Sequence, residues 1–372
     1  MNLEVGGPTE NILSAEPVYQ RSRSERGPAA FCSLPPRISI AMGTYNGERF
    51  IREQLESLAQ QTLLPYELVV RDDSSNDRTL SIVEEFASHA RFPVTIHRND
   101  VRLGYPDNFM QAARLTKGDW IAFCDQDDVW LPEKLERVGA VATRHIGLVL
   151  LVHSAKLVDE GLTPTGRQFP DIRHRKIVGP LEHSRMPLYP GFCCTFARSL
   201  LDEVRWDAKD TRNHTHDSWI CFLANALGRT YYIPESLVLY RRHHSTVTGS
   251  YDRRPLSAAI NDARSASGLD YRKQSQIISG YADLLRSRSE ETKSRSVELQ
   301  RASAHYTRLA GWLQSRALLY ERDGFRLRIK AFLSLLMRGA YIGRPGIVLG
   351  LRALMKDVIL ALVGSSLRTL RR

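Results

Sequence analysis

Between residues 37 and 153 the chain alternates short unbroken apolar runs with segments whose apolar residues recur every three or four positions. No other feature restricts the fold as much. Arg37–Met42, Tyr66–Arg71, Pro93–His97, Trp120–Cys124 and Gly147–His153 read as buried strands. Glu48–Gln61, with Phe50, Ile51, Leu55 and Leu58 on one face, reads as a helix. So do Leu80–His89, Asn108–Leu115 and the stretch from Pro132 to Thr143, where Pro132 suits a first helical turn. Strands alternating with helices predict an α/β fold, a Rossmann-like and mainly parallel sheet covered by helices.

Past residue 153 the pattern loosens. Gly161–Arg185 reads as a loop, and Asp217–Leu227 as a helix stopped at Gly228. Beyond residue 250 the chain reads as helical. Residues 1–36 are polar and without periodicity, the pattern of a disordered leader. The expected organisation is that leader over 1–36, an α/β domain over 37–250 and a basic helical region over 251–372.

The net charge of +11 is unevenly placed: residues 301–372 hold 14 Lys/Arg against three Asp/Glu, an excess equal to that of the whole chain. A neutral body with a basic tail points to an anionic partner surface. Two tail segments are amphipathic. One carries Phe325, Ile329, Phe332, Leu333 and Leu336 on a face flanked by Arg326, Lys330 and Arg338. The other sets Ile347, Leu351, Leu354, Val358 and Leu362 opposite Arg352, Lys356 and Asp357. Such helices either pack on the body or lie on a membrane with their basic groups among anionic headgroups, and the charge excess favours the membrane. No run of 18 apolar residues occurs, so no transmembrane helix is expected. The opening MNLEVGGPTE lacks the basic start and apolar run of a secretory signal. Five cysteines without a CxxC pair argue against a zinc ribbon or a thioredoxin-like motif and read as reduced thiols. The expected location is cytoplasmic, peripheral at the inner face of the plasma membrane.

In an open parallel sheet, ligands bind at the carboxyl ends of the strands. The residues there are Gly43-Thr44-Tyr45-Asn46-Gly47, Asp72-Asp73-Ser74-Ser75-Asn76-Asp77 and Asp125-Gln126-Asp127-Asp128. The first turn has neither the GxGxxG nor the GxxxxGK[ST] pattern. Thr44 and Tyr45 can contact a base and ribose there, although a plain Gly/Asn turn explains the segment equally well. Asp72 and Asp73 fit an Asx turn and helix cap, or a hydrogen-bond acceptor for a base or ribose. The third turn is sharper. Three carboxylates in four residues repel one another unless a cation or donor is present, and Mg²⁺ or Mn²⁺ takes such oxygens together with substrate phosphates. Later, Asp217 in His214-Thr215-His216-Asp217-Ser218-Trp219 suits an N-cap or a general base. Arg242 and His243, in Tyr240–Gly249, suit a surface loop, or a metal ligand with cations for a diphosphate.

Taken together, these motifs resemble family 2 glycosyltransferases of the GT-A fold. The similarity runs in the family's order through Arg37–Gly47, Leu68–Thr79, Asn99, Gly104, Asn108-Phe109, Phe123–Trp130, His216–Trp219 and Tyr240–Gly249, about residues 37–250. The combination DQDDVW, HDxW and YRxH is similar to bacterial, rhamnosyltransferase-like enzymes of surface polysaccharide synthesis. The resemblance implies an inverting transfer from a nucleoside-diphosphate sugar, dTDP-rhamnose or a UDP-sugar, to a glycan or polyprenyl-linked acceptor hydroxyl. By position it assigns Thr44, Tyr45, Asn46, Asp72 and Asp73 to the nucleoside. Asp127 goes to a divalent metal, with Asp125 on metal or ribose and His243 completing the coordination. Asp128, Gly191 and Arg242 go to the donor, and Asp217 is the catalytic base. Two positions depart from the family pattern: Ser74 stands where glycine is usual, and His244-Ser245-Thr246 where Gly-Asn-Asn is usual.

Rival classes fare worse. A nucleic-acid binder would show a basic face on the body or an RRM, KH or helix-turn-helix pattern. A dehydrogenase needs the glycine fingerprint. A sugar nucleotidyltransferase needs a basic glycine-rich first loop, and Gly43–Gly47 has no Lys or Arg. A non-catalytic nucleotide-binding scaffold on the same fold is the remaining alternative.

Overall fold

The computed structural model describes residues 35–183, 188–204, 206, 214–243, 267–321, 324–342 and 349–363. The expected leader, apart from Pro35 and Pro36, and the segment 244–250 lie outside them. The described residues from Pro35 on belong to one unit.

The order is β1 Ile38–Thr44, α1 Ile51–Ala59, β2 Glu67–Asp72, α2 Thr79–Ala87, β3 Val94–Arg98, α3 Tyr105–Leu115, β4 Trp120–Cys124, β5 Val129–Trp130, α4 Lys134–Arg144 and β6 Leu148–Val158. Then come β7 Pro164–Phe169, β8 Lys176–Val178, a 3₁₀ turn at Gly191–Cys193, β9 Cys194–Ala197, α5 Ser199–Glu203, α6 His216–Leu227 and β10 Arg229–Arg241. Four helices follow: α7 Gly268–Glu291, α8 Ser296–Glu321, α9 Phe325–Met337 and α10 Leu351–Val363. The sheet runs β3-β2-β1-β4-β9-β6-β10-β5. β1 pairs in parallel with β2 and β4, β2 with β3, and β6 with β10. β9 is antiparallel to both β4 and β6. Two reversals cancel, so β6 and β10 point the same way as β4, and their carboxyl ends share one rim.

The five apolar runs are strands as expected; in four of them Val, Ile and Leu side chains fill both faces of a covered sheet, whereas β3 is a part-buried edge strand. β6 runs five residues beyond the expected end at His153. Polar residues there broke the apolar pattern, yet the sheet absorbs them: His153 Nδ1 lies 2.8 Å from the Ser154 carbonyl, and Ser154 Oγ donates to the Pro170 carbonyl at 2.8 Å. The expectation of a loop over Gly161–Arg185 is corrected. β7 and β8 lie inside it, paired antiparallel to β6 and β10. β7 is largely exposed, so backbone pairing holds it and no buried face writes a period into the sequence.

The helical tail is bolted to α6. Tyr281 of α7 stacks on Phe222 at 3.7 Å, and Asn225 Nδ2 donates to Tyr306 Oη of α8 at 2.8 Å. The two amphipathic segments each leave part of their apolar stripe exposed. In α9, Leu335 is buried while Phe325, Leu333 and Leu336 are exposed. In α10, Asp357 turns inward and Leu351 outward, with Leu354 packed on the core. Ile347 and Leu362 fall outside the described residues. The cause is Arg316 of α8. Buried in the helical layer, it needs a counter-charge, and Asp357 supplies both oxygens at 2.8 Å with Tyr341 Oη donating at 2.8 Å. Removing one partner of a buried pair strands the other. Asp357→Ala is expected to destabilise the chain by about 3–5 kcal/mol, and Arg316→Met with Asp357→Leu by clearly less, read by urea unfolding.

Candidate active site

The turn after β1 and the turn after β2 are tied to each other. Asp72 is wholly buried, and its carboxylate accepts Thr44 Oγ1 at 2.8 Å, Ser75 N at 2.8 Å and Ser75 Oγ at 2.5 Å. Ser75 Oγ in turn accepts Asn46 N at 2.9 Å, and Asn46 Oδ1 accepts Asn76 N at 3.0 Å. Asp73 accepts Asn99 Nδ2, Leu103 N and Gly104 N at 2.7–2.8 Å. The two carboxylates thus shape the first rim wall and the loop opposite it. What that wall presents outward is Tyr45, whose ring carries the Arg102 guanidinium 3.8 Å from its centroid.

Ser74 sits at φ +64°, a left-handed conformation that glycine adopts at least cost. This is the position where the family pattern has glycine. The hydroxyl offsets the strain by donating to the Asn99 carbonyl at 2.6 Å. Ser74→Ala keeps the strain and loses the bond, so it is expected to cost about 1–2 kcal/mol in thermal unfolding, against a near-neutral Ser74→Gly.

The third turn supplies the acidic cluster. One carboxylate oxygen from each of Asp125, Asp127 and Asp128 lies within 4.8 Å of the others. Burial, then Asp127 and Asp217, push the Asp125 carboxyl up to about 8. Burial with its two acidic neighbours raises Asp128 well above the usual range. The donors are all oxygen, and Asp128 Oδ2 is buried without a partner. A hard divalent cation fits this set. His243 Nε2 lies 2.8 Å from Asp127 Oδ2, its ring 4.7 Å from that of Phe50.

Asp217 stands at the first turn of α6, where Thr215 caps the helix in a reciprocal box with Ser218. Its Oδ1 accepts Ser218 N at 2.7 Å and the Thr215 hydroxyl. Its charge helps raise both Asp125 and Tyr105, so it lies in their neighbourhood. Gly191 abuts His216: a Cβ there would meet Nε2 at 2.5 Å. His216 is buried between Phe109, stacked at 4.3 Å, and Phe123, edge-on at 4.7 Å, and burial lowers its pKa. Arg242 donates to Tyr240 Oη at 2.9 Å.

Three residues that the sequence did not single out hold this rim together. Gln126 clasps the first turn, accepting Tyr45 N at 2.9 Å and donating to the Tyr45 carbonyl at 3.0 Å. Arg241 is 2% exposed; its guanidinium donates to the Asp127 carbonyl at 2.9 Å, the Glu160 carbonyl at 2.6 Å and Glu53, while its amide binds Asp128 Oδ1 at 3.0 Å. Lys134 is fully buried, its Nζ donating to the Phe192 carbonyl at 2.9 Å and lying 3.3 Å from the Trp130 ring centroid. Gln126 stood inside the acidic motif and Arg241 in the basic one. Lys134 looked like one more surface helix lysine.

Burial brings the Lys134 ammonium down from 10.5 to about 8. Between those values the unfolded chain holds a proton that the folded chain has lost, so this group's contribution to stability rises with pH from about 8 to 10.5. Lys134→Met removes that dependence. Measured against the parent by urea unfolding, the variant is expected to lose ground by roughly 1–3 kcal/mol between pH 7.5 and pH 10.

Comparison with known proteins matches this arrangement. The description "Glycosyl transferase family 2" fits residues 39–205. An uncharacterized glycosyltransferase of Haemophilus influenzae is 38% identical over 128 residues, 34% of this chain and 42% of its own length. The putative glycosyltransferase EpsH of Bacillus subtilis is 30% identical over 235 residues, 60% of this chain and 66% of its own. The chain therefore spans less than two thirds of these relatives. The solved structure of Staphylococcus aureus TarS 1–349 has the same fold, with a TM-score of 0.50 at 20% identity, covering 87% of this chain and 80% of that one. With the acidic cluster at the sheet rim, residues 39–205 match glycosyl transferase family 2, and the fold is GT-A.

Proposed function

We propose that the chain is an inverting, metal-dependent glycosyltransferase that moves a sugar from a nucleoside diphosphate to an acceptor hydroxyl in bacterial surface polysaccharide synthesis. The observation that carries this reading is the Asp125–Asp127–Asp128 cluster at the carboxyl rim of the sheet, with Asp217 near enough for its charge to raise Asp125. Tyr45, with Arg102 on its ring, offers a flat face to the base. Asp125 and Asp127, with His243 beside them, would hold the divalent ion, which when bound neutralises charge on the departing diphosphate. Asp217 takes the proton from the acceptor hydroxyl as its oxygen attacks the anomeric carbon; the bond to the diphosphate breaks on the opposite face, and one displacement inverts the centre. Thr215 and the Ser218 amide fix the carboxylate for that transfer. A relative over 119 residues at 35% identity, TarS of Staphylococcus aureus, is named a poly(ribitol-phosphate) β-N-acetylglucosaminyltransferase, which supports a polymer or polymer precursor as acceptor. An acceptor on a polyprenyl lipid places the chain at the inner face of the plasma membrane.

The test is nucleotide release from UDP-, dTDP- and GDP-sugars with Mg²⁺, Mn²⁺ or EDTA, with and without lipid-linked acceptor. One donor is expected to turn over with metal alone. Asp127→Ala should abolish release, and Asp217→Asn should keep donor binding while slowing transfer about 10²–10⁴-fold. Parental rates in Asp217→Asn, or a product of retained configuration, would overturn the mechanism. No thermal stabilisation by any nucleotide with metal would favour a scaffold.

A further inference from the structure

α10 is an amphipathic helix mounted inside out. Its one acidic residue, Asp357, is wholly buried against Arg316, while Leu351, Met355 and Ile359 are 69%, 59% and 51% exposed. These three recur every four residues and so form a single stripe on the face away from Asp357. α9, packed against α10, also leaves Phe325, Leu333, Leu336 and Met337 exposed, and Ile342 just after it is 78% exposed. Elsewhere in the described chain, exposed large apolar residues are scattered. Here nine, counting Leu327, fall within residues 325–359. A row of this kind on a soluble surface marks a binding face.

The charges around the row identify what covers it. Residues 324–363 contain seven Lys/Arg and one acid, and that acid is Asp357, already spent on Arg316. Arg326, Arg338 and Lys330 are exposed beside the apolar row. A second copy of this chain would set like charge against like charge. A bilayer of anionic lipid offers hydrocarbon to the leucines and phosphate to the basic groups at once. Among the described residues no helix is long and apolar enough to cross a membrane, so the contact lies in the interface plane.

We propose that the exposed apolar row of α9 and α10 is the face by which the protein docks on anionic membrane, and that the buried Arg316–Asp357 pair sets its orientation by turning α10 outward. The proposal deepens the reading of a lipid-linked acceptor, but its assay needs no sugar transfer, so either can fail alone. The full chain is sedimented with vesicles of phosphatidylglycerol and phosphatidylethanolamine, or of phosphatidylcholine. Binding is expected to the anionic vesicles, weakening with NaCl. The triple variant Leu351→Glu, Met355→Glu, Ile359→Glu should bind at least tenfold less, with its nucleotide-induced thermal shift unchanged. A second readout uses a single label. Met355→Trp should shift to the blue and be quenched by brominated lipid, whereas Val297→Trp, exposed at the start of α8, should not. Equal binding by the triple variant, or no quenching at position 355, would overturn the proposal. So would a dimer of the parent that the triple variant loses, which would assign the row to a second copy.

Discussion

Everything at the rim answers to one electrostatic problem, three carboxylates packed into four residues at the end of a buried strand. Water cannot screen them fully there, so each must be met by something fixed. Arg241 meets the backbone of Asp127 and the side chain of Asp128, Lys134 lies beneath, and His243 closes on Asp127. The counterweights come from β10, α4 and the segment after β10. Crowding at one turn thereby fixes where the far half of the sheet must stand. Asp128 Oδ2, buried without a partner, is the kind of deficit that a bound cation relieves.

The first wall of the site is built on a different logic. Asp72 and Asp73 look exposed and reactive in the sequence, yet both are buried and fully engaged by amides, hydroxyls and an amide side chain. Within the chain they hold Thr44, Asn46 and the 99–104 loop in place, next to the stacked Tyr45 and Arg102.

Much of the framework was legible because its signals are local. A strand such as Trp120–Cys124 shows itself as an apolar run, and the turn after it as a burst of charge. α6 shows its end through Gly228, whereas its cap is Thr215 and not the Asp217 that the sequence offered. What stayed hidden depends on partners distant in the chain. β7 is exposed, so pairing with β6 leaves no periodic trace. Lys134 carries no mark of burial until Phe192 and Trp130 close over it. α10 reads as an ordinary amphipathic helix, and only Arg316, 41 residues away, reveals which side faces in. The motifs of the site were visible because their chemistry is concentrated; the residues that aim them were not.

The reversal at β9 has a practical meaning for anyone cutting this protein into pieces. The region that matches the family ends at residue 205, before α6 and β10. A fragment stopped there would keep the acidic cluster but lose Asp217, Arg241 and β10, the strand along one edge of β6. β6 would then show one long row of open amides and carbonyls beside ten buried side chains, a template for sheet growth between molecules. A piece of this fold needs β10 for the hydrogen bonding along β6, and it must reach at least to residue 243 to carry His243 beside Asp127.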